Sequence, residues 1–460
     1  MLLVQTQSLC PVCLRVVDAG YYLEGDMVYL GKTCPEHGTF RAPAWKQESG
    51  APSFNMWRQG TRIPAYPAHP ATGIEKGCPY DCGLCPDHMQ HTCTGLIEVT
   101  MRCSLGCPVC YARAGTGAED PSLEHIGMQL DALSRASGPC NVQLSGGEPT
   151  ERDDLPDIIC MAKQKGFALV QVNTNGLRLG QESGYAETLR RAGLDSVYLQ
   201  FDGVSDDVYR TLRGRDCLSM KKAAVEACGN AGLGVVLVCT LVRGVNDHQV
   251  GDLLRFALSQ GSHVRGLHFQ PVSSFGRFPW DMGKAPRITL PELMKSLETQ
   301  SPGMVRMKDF HAPSCEHPLC SFSAVYAKND DGSLGSPIGA ACCSGGTSLA
   351  EENRVVDNAE GSRISRAFTA AHWKAPHPEK DALNDAFSRF IARTGADRRF
   401  TLSAMAFQDA LSLDVERVRG CCIHVVSAEG KLIPFCLYNL TSFDQVALYR
   451  PVHEKAGTPS

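Results

Sequence analysis

Residues 101 to 111 read Met101-Arg102-Cys103-Ser104-Leu105-Gly106-Cys107-Pro108-Val109-Cys110-Tyr111. The C-x3-C-x2-C spacing wraps three thiolates around three corners of a [4Fe-4S] cube and leaves the fourth iron without a protein ligand. Such cubes are usually closed by four cysteines, so an open iron at the mouth of a loop is a place for a small molecule to coordinate, as an open position is on a catalytic metal. Further on, Ser145-Gly146-Gly147-Glu148-Pro149 ends an apolar strand pattern through Val142 and Leu144. Two glycines followed by a carboxylate let the backbone approach a cationic ligand closely.

A lone C-x3-C-x2-C also fits a structural zinc or ferredoxin-type site, and the Gly-Gly-Glu-Pro echo at the next strand decides against both. Together the two motifs resemble the radical S-adenosylmethionine (radical SAM) enzymes. In that superfamily the methionine amino and carboxylate groups chelate the unique iron, the Gly-Gly-Glu-Pro strand end holds the amino group, and the reduced cluster cleaves the sulfonium to a 5'-deoxyadenosyl radical. The resemblance places the catalytic cluster on Cys103, Cys107 and Cys110. It places S-adenosylmethionine against Tyr111, Gly146, Gly147 and Glu148.

At 460 residues and 43% hydrophobic, the chain has the means to bury one large core plus one or two small modules. Its net charge of -4, with both signs spread along the chain, gives no electrostatic case for a nucleic-acid partner. The longest apolar run, Leu233 to Val242, is broken by Gly234, Cys239 and Thr240; it is too short for a membrane span and reads as a buried strand. The start, Met1-Leu2-Leu3-Val4-Gln5, lacks the basic and long apolar stretches of a secretory signal, so a cytoplasmic location is expected. The 22 cysteines are then thiols rather than disulfides, and metal is their destination.

The chain divides by motif. Residues 1 to 50 form a rubredoxin or zinc-ribbon-like module, where Cys10, Cys13, Cys34 and His37 suit one tetrahedral zinc or iron ion. Residues 51 to 94 hold a proline-marked linker (Pro52, Pro64, Pro67, Pro70) and a second C-x3-C-x2-C, Cys78, Cys82 and Cys85. Either triplet spacing suits the open cluster, and the strand Gly95 to Thr100 leading into Cys103 favours the later one. Cys93 would close the earlier set, with His88 or His91 competing for that place.

From 95 to 285 strands alternate with helices, which predicts parallel βα units and a partial (β/α)6 barrel in an α/β fold. Strands are expected at 95–100, 141–144, 168–173, 196–201, 235–241 and 266–270, and chemistry at their carboxyl ends. Asn173, Asn175, Gln200, Asp202, Thr240, Asn246 and Gln270 stand there. Asn173 is a candidate for the cofactor, and Gln200 and Asp202, sharing a strand face with Tyr198, are candidates for its ribose. Asn175-Gly176 and Asp202-Gly203 also read as ordinary turn formers.

Residues 286 to 450 read as a C-terminal iron-sulfur domain that opens with a capping box, Thr289 to Glu292. Cys315, Cys320, Cys421 and Cys436 offer a further four-thiolate set, for which Cys422 and the Cys342-Cys343 pair compete. Adjacent cysteines seldom serve one cluster, because neighbouring side chains on extended chain point apart. Residues 345 to 400 carry no functional pattern, and 451 to 460 read as a disordered tail.

This order of parts, including Cys-Pro-Glu-His, His-Thr-Cys, Cys-Glu-His-Pro-Leu-Cys, Phe407-Gln408-Asp409, Glu416-Arg-Val-Arg419 and Ile-Pro-Phe-Cys-Leu-Tyr-Asn, resembles over nearly its whole length the radical SAM group of archaeal tetraether lipid synthases and class D, cobalamin-independent pterin methylases. The resemblance implies three [4Fe-4S] clusters, one binding S-adenosylmethionine and two auxiliary, with one mononuclear iron or zinc. It also implies a flavodoxin- or ferredoxin-type reductant and C-C bond formation at unactivated carbon. The group's C-terminal pattern falls on Cys315, Cys320, Cys421 and Cys436, leaving Cys140, Cys160, Cys217, Cys228, Cys239, Cys342, Cys343 and Cys422 as plain thiols.

Methylation of a pterin-like small molecule, with a folate-like one-carbon donor, is expected ahead of lipid-chain coupling, because the chain is acidic and shows no amphipathic membrane-lying segment. An RNA- or peptide-modifying radical SAM enzyme is the next alternative. A non-catalytic iron-sulfur electron carrier would need no Gly-Gly-Glu-Pro strand end, and a zinc-ribbon nucleic-acid binder should be basic.

Overall fold

The computed structural model describes residues 1–115, 119–138, 140–329, 331–337, 355–375 and 398–451. Cys342, Cys343 and residues 452–460 of the expected tail lie outside the described residues. The N-terminal module is an antiparallel meander of β1 (Leu2–Leu9), β2 (Val16–Glu24), β3 (Met27–Cys34) and β4 (Gly38–Lys46). The middle hairpin carries its own apolar signal, Tyr21 to Leu23 and then Met27 to Leu30. β1 escaped because its Gln-Thr-Gln-Ser stretch carries little apolar character, and its partner β2 supplies the order. After β5 (Thr61–Ile63) come the six strands of the core: β6 (Thr94–Thr100), β7 (Asn141–Gly146), β8 (Leu169–Thr174), β9 (Ser196–Gln200), β10 (Gly234–Leu241) and β11 (Val264–Pro271).

These six pair in chain order, all parallel. Parallel strands covered on both faces carry continuous apolar runs, and Val235, Val236, Leu237, Val238 and Cys239 are all buried. The helix Leu123–Ser137 starts at Ser122, whose side chain accepts from the His125 N–H, and lays Ile126, Leu130 and Leu133 into the core. The capping box at Thr289 forms as expected, opening the helix Leu290–Gln300.

The rest of the chain adds β12 (Ser321–Lys328), β13 (Leu334–Pro337), β14 (Val355–Asp357), β15 (Arg399–Met405), β16 (Ile423–Val426) and β17 (Leu432–Pro434). Among the described residues these do not build a separate sheet, apart from the short β14 and β5 pair. They extend the core sheet at both edges, in the order β13-β12-β15-β11-β10-β9-β8-β7-β6-β16-β17. β15 runs parallel to β11, and β16 parallel to β6. An edge strand's unpaired N–H and C=O groups need partners, and the late segments supply them. The result carries the cysteines near 421 to the start of β6.

The N-terminal module is docked by polar contacts onto residues 410 to 414. Tyr21 Oη and Thr6 Oγ1 each donate to the Asp414 carboxylate at 2.7 Å, and buried Lys32 donates to Ser8 Oγ and the Ala410 carbonyl at 2.9 Å. No described helix is long and apolar enough to cross a membrane.

Candidate active site

β6 runs out at Thr100 and the chain turns into the cysteine loop, which is braced from three sides. Arg102 pairs with Asp120 at 2.6 Å, and the Cys103 N–H donates to the Gly115 carbonyl at 2.9 Å. Cys110 and Arg277 exchange both backbone hydrogen bonds at 2.9 Å. Two guanidiniums gather the loop's carbonyls: Arg277 Nε donates to Cys107 at 2.7 Å and an Arg213 terminal nitrogen to Val109 at 2.8 Å.

So held, Cys103, Cys107 and Cys110 line one end of a cavity of about 350 Å³ over the carboxyl ends of the strands. Burial pushes the Cys103 thiol up to about 12, and it raises Cys107 too, against the pull of Arg213. A buried thiol becomes a thiolate ligand when a metal supplies the missing positive charge. Three thiols on one loop, one buried and two half-buried, opening to one cavity, fit an iron-sulfur cluster with an exposed corner. Tyr111 turns back over the strand ends, its hydroxyl 2.8 Å from Ser145 Oγ and its ring 5.5 Å from that of Phe435.

The glycines have a different first task from the one expected. Gly146 has φ +119, and a Cβ there would stand 2.0 Å from the Thr100 carbonyl oxygen; at Gly147 it would stand 2.2 Å from that of Arg102. The Gly147 and Glu148 N–H groups donate to those same two carbonyls at 2.8 and 2.9 Å. The close approach therefore joins the end of β7 to the root of the cysteine loop.

Glu148 lines the cavity but does not present a free carboxylate. One oxygen accepts from the Thr150 N–H, Thr150 Oγ1 and Thr174 Oγ1, and the other from the Asn175 N–H at 2.6 Å. Burial raises its pKa while these donors lower it. The residue ties β7 to β8.

Asp202 requires a correction. It was expected at the ribose, yet it is fully buried, with both oxygens held by Arg213 at 2.8 Å and one also accepting from the Thr240 N–H. A carboxylate this deep is stable only when paired, and its partner is the arginine that braces Val109.

Asn173 and Gln200 do line the cavity. Asn173 Nδ2 donates to Gln143 Oε1 and Ser145 Oγ at 3.3 Å, while its Oδ1 is buried without a protein partner. An orphaned acceptor aimed among polar groups suits a ligand donor, so the strand ends fit S-adenosylmethionine. Lys221 donates to Gln200 Oε1 at 3.0 Å and to the Asn175 carbonyl; burial lowers its pKa to about 8.

Deeper in, Tyr198 stacks on Trp373 at 6.0 Å and 26° and lies 5.8 Å from His268, whose Nδ1 is 2.8 Å from Ser403 Oγ. Gln270 Nε2 donates to Tyr198 Oη at 3.4 Å. Trp373, His268, Ser403 and Gln143 were not singled out from sequence. Trp373 follows the helix Asn358–His372, and Ser403 sits on β15, segments whose place beside β11 has no local signature.

Among the described residues, the cysteines outside the loop that come together do so in four groups. Cys10, Cys13, Cys34 and His37 come together with all ligand atoms within 4.8 Å of one another. The imidazole beside Cys34 holds that thiol down to about 6. Cys78, Cys82 and Cys85 surround a small cleft with His88 and Arg419. Asp81 shapes their loop by accepting three successive N–H groups, of Glu75, Lys76 and Gly77, at 2.7 Å.

Cys93 does not join that set, contrary to the reading that it closes it. It lies with Cys315 and Cys422, the three sulfurs within 4.8 Å of one another, because the Cys93 N–H pairs with the Cys422 carbonyl where β6 meets β16. His88 turns its Nε2 to the Cys421 carbonyl at 2.8 Å. Cys315 is likewise separated from Cys320, Cys421 and Cys436, which feel one another electrostatically beside Arg417. Cys421 and Cys422 point to different groups, as neighbours on extended chain do.

The fold and the loop define a radical SAM enzyme. The radical SAM superfamily matches residues 97–257, and the HMPTM N-terminal zinc ribbon domain matches residues 2–46. The chain is 34% identical to the 7,8-dihydro-6-hydroxymethylpterin dimethyltransferase of Methanocaldococcus jannaschii, over 95% of this chain and 93% of that protein. It belongs to the same family, within the radical SAM superfamily, and is a radical SAM methyltransferase. The probable GTP 3',8-cyclase of Methanothermobacter thermautotrophicus is 31% identical over 182 residues, 39% of this chain and 58% of that one. Among solved structures, Streptococcus suis SuiB bound to precursor peptide SuiA gives a TM-score of 0.37 at 14% identity, covering 46% of each chain.

Proposed function

We propose that the chain methylates a pterin-like small molecule at carbon, replacing C–H by C–CH3, with S-adenosylmethionine as radical source and a folate-like one-carbon donor. The observation that carries the substrate class is the wall formed by Tyr198, Trp373 and His268, with the Gln143 and Gln270 amides beside it, in the cavity that the cysteine loop closes. A flat aromatic surface edged by amides suits a planar heterocycle with a hydrogen-bonding rim. Its end-to-end likeness to a pterin dimethyltransferase supports the same reading. Lipid-chain coupling is less favoured, since an alkyl chain offers no hydrogen-bonding group to the polar edges of Gln143, Gln270 and His268.

When bound at Cys103, Cys107 and Cys110, the reduced cluster supplies the electron that splits S-adenosylmethionine. The chain's own part is to position and to exclude. Asn173 and Gln200 offer amides to the cofactor, Arg213 and Arg277 fix the loop, and Tyr111 with Phe435 and Phe275 shields the reaction space from water, which an indiscriminate primary radical requires. Cys78, Cys82 and Cys85, with the group of Cys320, Cys421 and Cys436, are read as holding the two auxiliary clusters, and Cys10, Cys13, Cys34 and His37 the single ion. A flavodoxin- or ferredoxin-type reductant and a cytoplasmic location complete the reading, supported by the free thiols of the described cysteines, which a reducing compartment preserves.

The test is metabolite profiling of a deletion strain against wild type with labelled methionine. Loss of methylated pterin is expected. Unchanged pterins with an altered lipid, RNA nucleoside or peptide would overturn the substrate. Replacing Cys103, Cys107 and Cys110 together by alanine should leave an iron-containing protein that forms no 5'-deoxyadenosine; retained formation would move the catalytic cluster to Cys78, Cys82 and Cys85.

A further inference from the structure

The cavity reaches past the six core strands. β15 and β12 continue the sheet beyond β11, and every second side chain of the three strands turns inward: His268, Ser403 and Ser323 stand in one row, with Gln270, Met405 and Ser321 in the row after it. On this side several buried polar atoms lack partners. Ser314 Oγ, Thr401 Oγ1 and Trp373 Nε1 find none among the described residues, and all three residues line the cavity. Buried polar groups left in that state are costly unless a ligand or water meets them.

Among the described residues two acidic side chains line the cavity, Glu148 and Glu316. Glu148 is filled, since its oxygens already accept from four donors. Glu316 is not. It stands half-buried in the loop before β12, where the Ser321 hydroxyl donates to Oε1 at 2.5 Å and the Cys315 thiol to Oε2 at 2.7 Å, with Cys422 Sγ farther off at 3.9 Å. A carboxylate accepts about four hydrogen bonds, so each oxygen keeps a place for one more donor. A carboxylate that only staples residues 316 to 321 together is the plain alternative, and it leaves the unmet polar atoms on the same side of the cavity unexplained. Two oxygens side by side are the complement of two parallel N–H groups, the edge that an amino-pyrimidinone ring presents. Ser321 lies two strand steps from Gln270, about 10 Å. A two-ring heterocycle with its hydrogen bonds spans that distance.

We infer that Glu316 is a specificity-determining residue whose carboxylate takes the amino-pyrimidinone edge of the heterocycle by a pair of N–H···O bonds, with the ring laid along the wall of Gln270, His268 and Ser403. The inference rests on the pterin-like substrate class argued above and adds the group that tells this ring from other two-ring heterocycles. A 2,4-dioxo ring puts a carbonyl where the 2-amino group stands, so the carboxylate faces an acceptor and both are left unpaired. Glutamine in the same place offers one acceptor and one donor, which matches a ring N–H beside a carbonyl.

The test is equilibrium dialysis of the full chain, reconstituted anaerobically and without S-adenosylmethionine, against pterin (2-amino-4-oxopteridine) and lumazine (2,4-dioxopteridine). Wild type should hold pterin at least about tenfold tighter than lumazine. Glu316→Gln should lose pterin affinity about tenfold and bind lumazine the tighter of the two, with iron content and circular dichroism unchanged. Should that variant not fold, Ser321→Ala, which frees the carboxylate from its hold, should narrow the preference for pterin about threefold. No preference in wild type, or the same preference in wild type and the folded variant, would overturn the role of Glu316 and leave the substrate class standing. A wild type that binds neither ring would overturn the substrate class and this assignment with it.

Discussion

Asp202 grips Arg213 with both carboxylate oxygens at 2.8 Å, and Arg213 hands a further N–H to the Val109 carbonyl inside the cysteine loop. A strand end of the barrel is thus linked through one buried ion pair to the segment between Cys107 and Cys110. The pair positions the loop that holds the cluster, a task apart from cofactor contact.

Arg213→Met leaves the Asp202 carboxylate buried without a partner. Breaking a buried pair from one side costs about 3 to 5 kcal/mol, and the Val109 carbonyl loses its donor as well. Chemical denaturation under anaerobic conditions should show a loss of that size, with reduced iron retention at the loop. A loss below about 1 kcal/mol, with iron unchanged, would separate the ion pair from the loop.

For Glu148, replacement by Gln sets an amide N–H2 against either the Asn175 N–H or the threonine donors. A buried donor left unpaired costs about 1 to 3 kcal/mol, so stability should drop. S-adenosylmethionine affinity should weaken with it, since Thr174 and Asn175 shift. Equilibrium binding with the cluster absorbance monitored separates the two effects. Undiminished affinity in a destabilised variant would confine Glu148 to joining the strands.

Gly147→Ala should be among the most damaging single changes on the barrel rim. The added methyl meets the Arg102 carbonyl oxygen, a backbone atom fixed by the Glu148 N–H. The root of the cysteine loop must move, and S-adenosylmethionine cleavage should fall at least a hundredfold by rate assay, about 2.7 kcal/mol or more at the transition state. By contrast, Gly106→Ala has open space at its Cβ and only the strain of a positive φ of +63 to bear, so it should retain more activity. Equal activities would show that the close approach is not needed.

Burial lowers the His268 pKa to about 4, so the folded protein holds this imidazole neutral beside Ser403. The unfolded chain, with an ordinary histidine, binds the proton first as pH falls. The stability tied to the neutral ring is present above about 6.5 and is lost on acidification towards about 4. Between pH 7 and 5 the contribution is on the order of 2 kcal/mol. His268→Gln should unfold with a shallower pH dependence across that window; parallel curves for the two proteins would show the ring titrating freely.

Much of the working end was written locally. The C-x3-C-x2-C loop, the Gly-Gly-Glu-Pro strand end and the core strands each depend on neighbours in the chain: apolar runs fix the parallel strands, and short cysteine spacing fixes which thiols share a loop. The meeting of Cys10 and Cys13 with Cys34 and His37 was legible for the same reason, since a single meander separates the two knuckles. Partnership between distant segments was not legible. Cys93 is closer in sequence to Cys85 than to Cys422, yet the β6 to β16 pairing binds it to Cys422. Asp202 read as a ligand because its strand-end position is the same whether its carboxylate faces solvent or Arg213. His268 and Ser403 meet only because β15 takes the open edge of β11. Spacing and periodicity along the chain set the chemistry available to each loop. Tertiary structure alone decided which loops meet, because the hydrogen-bonding demand of an edge strand is met by whichever distant segment docks there, and nothing in that segment's own pattern names the edge.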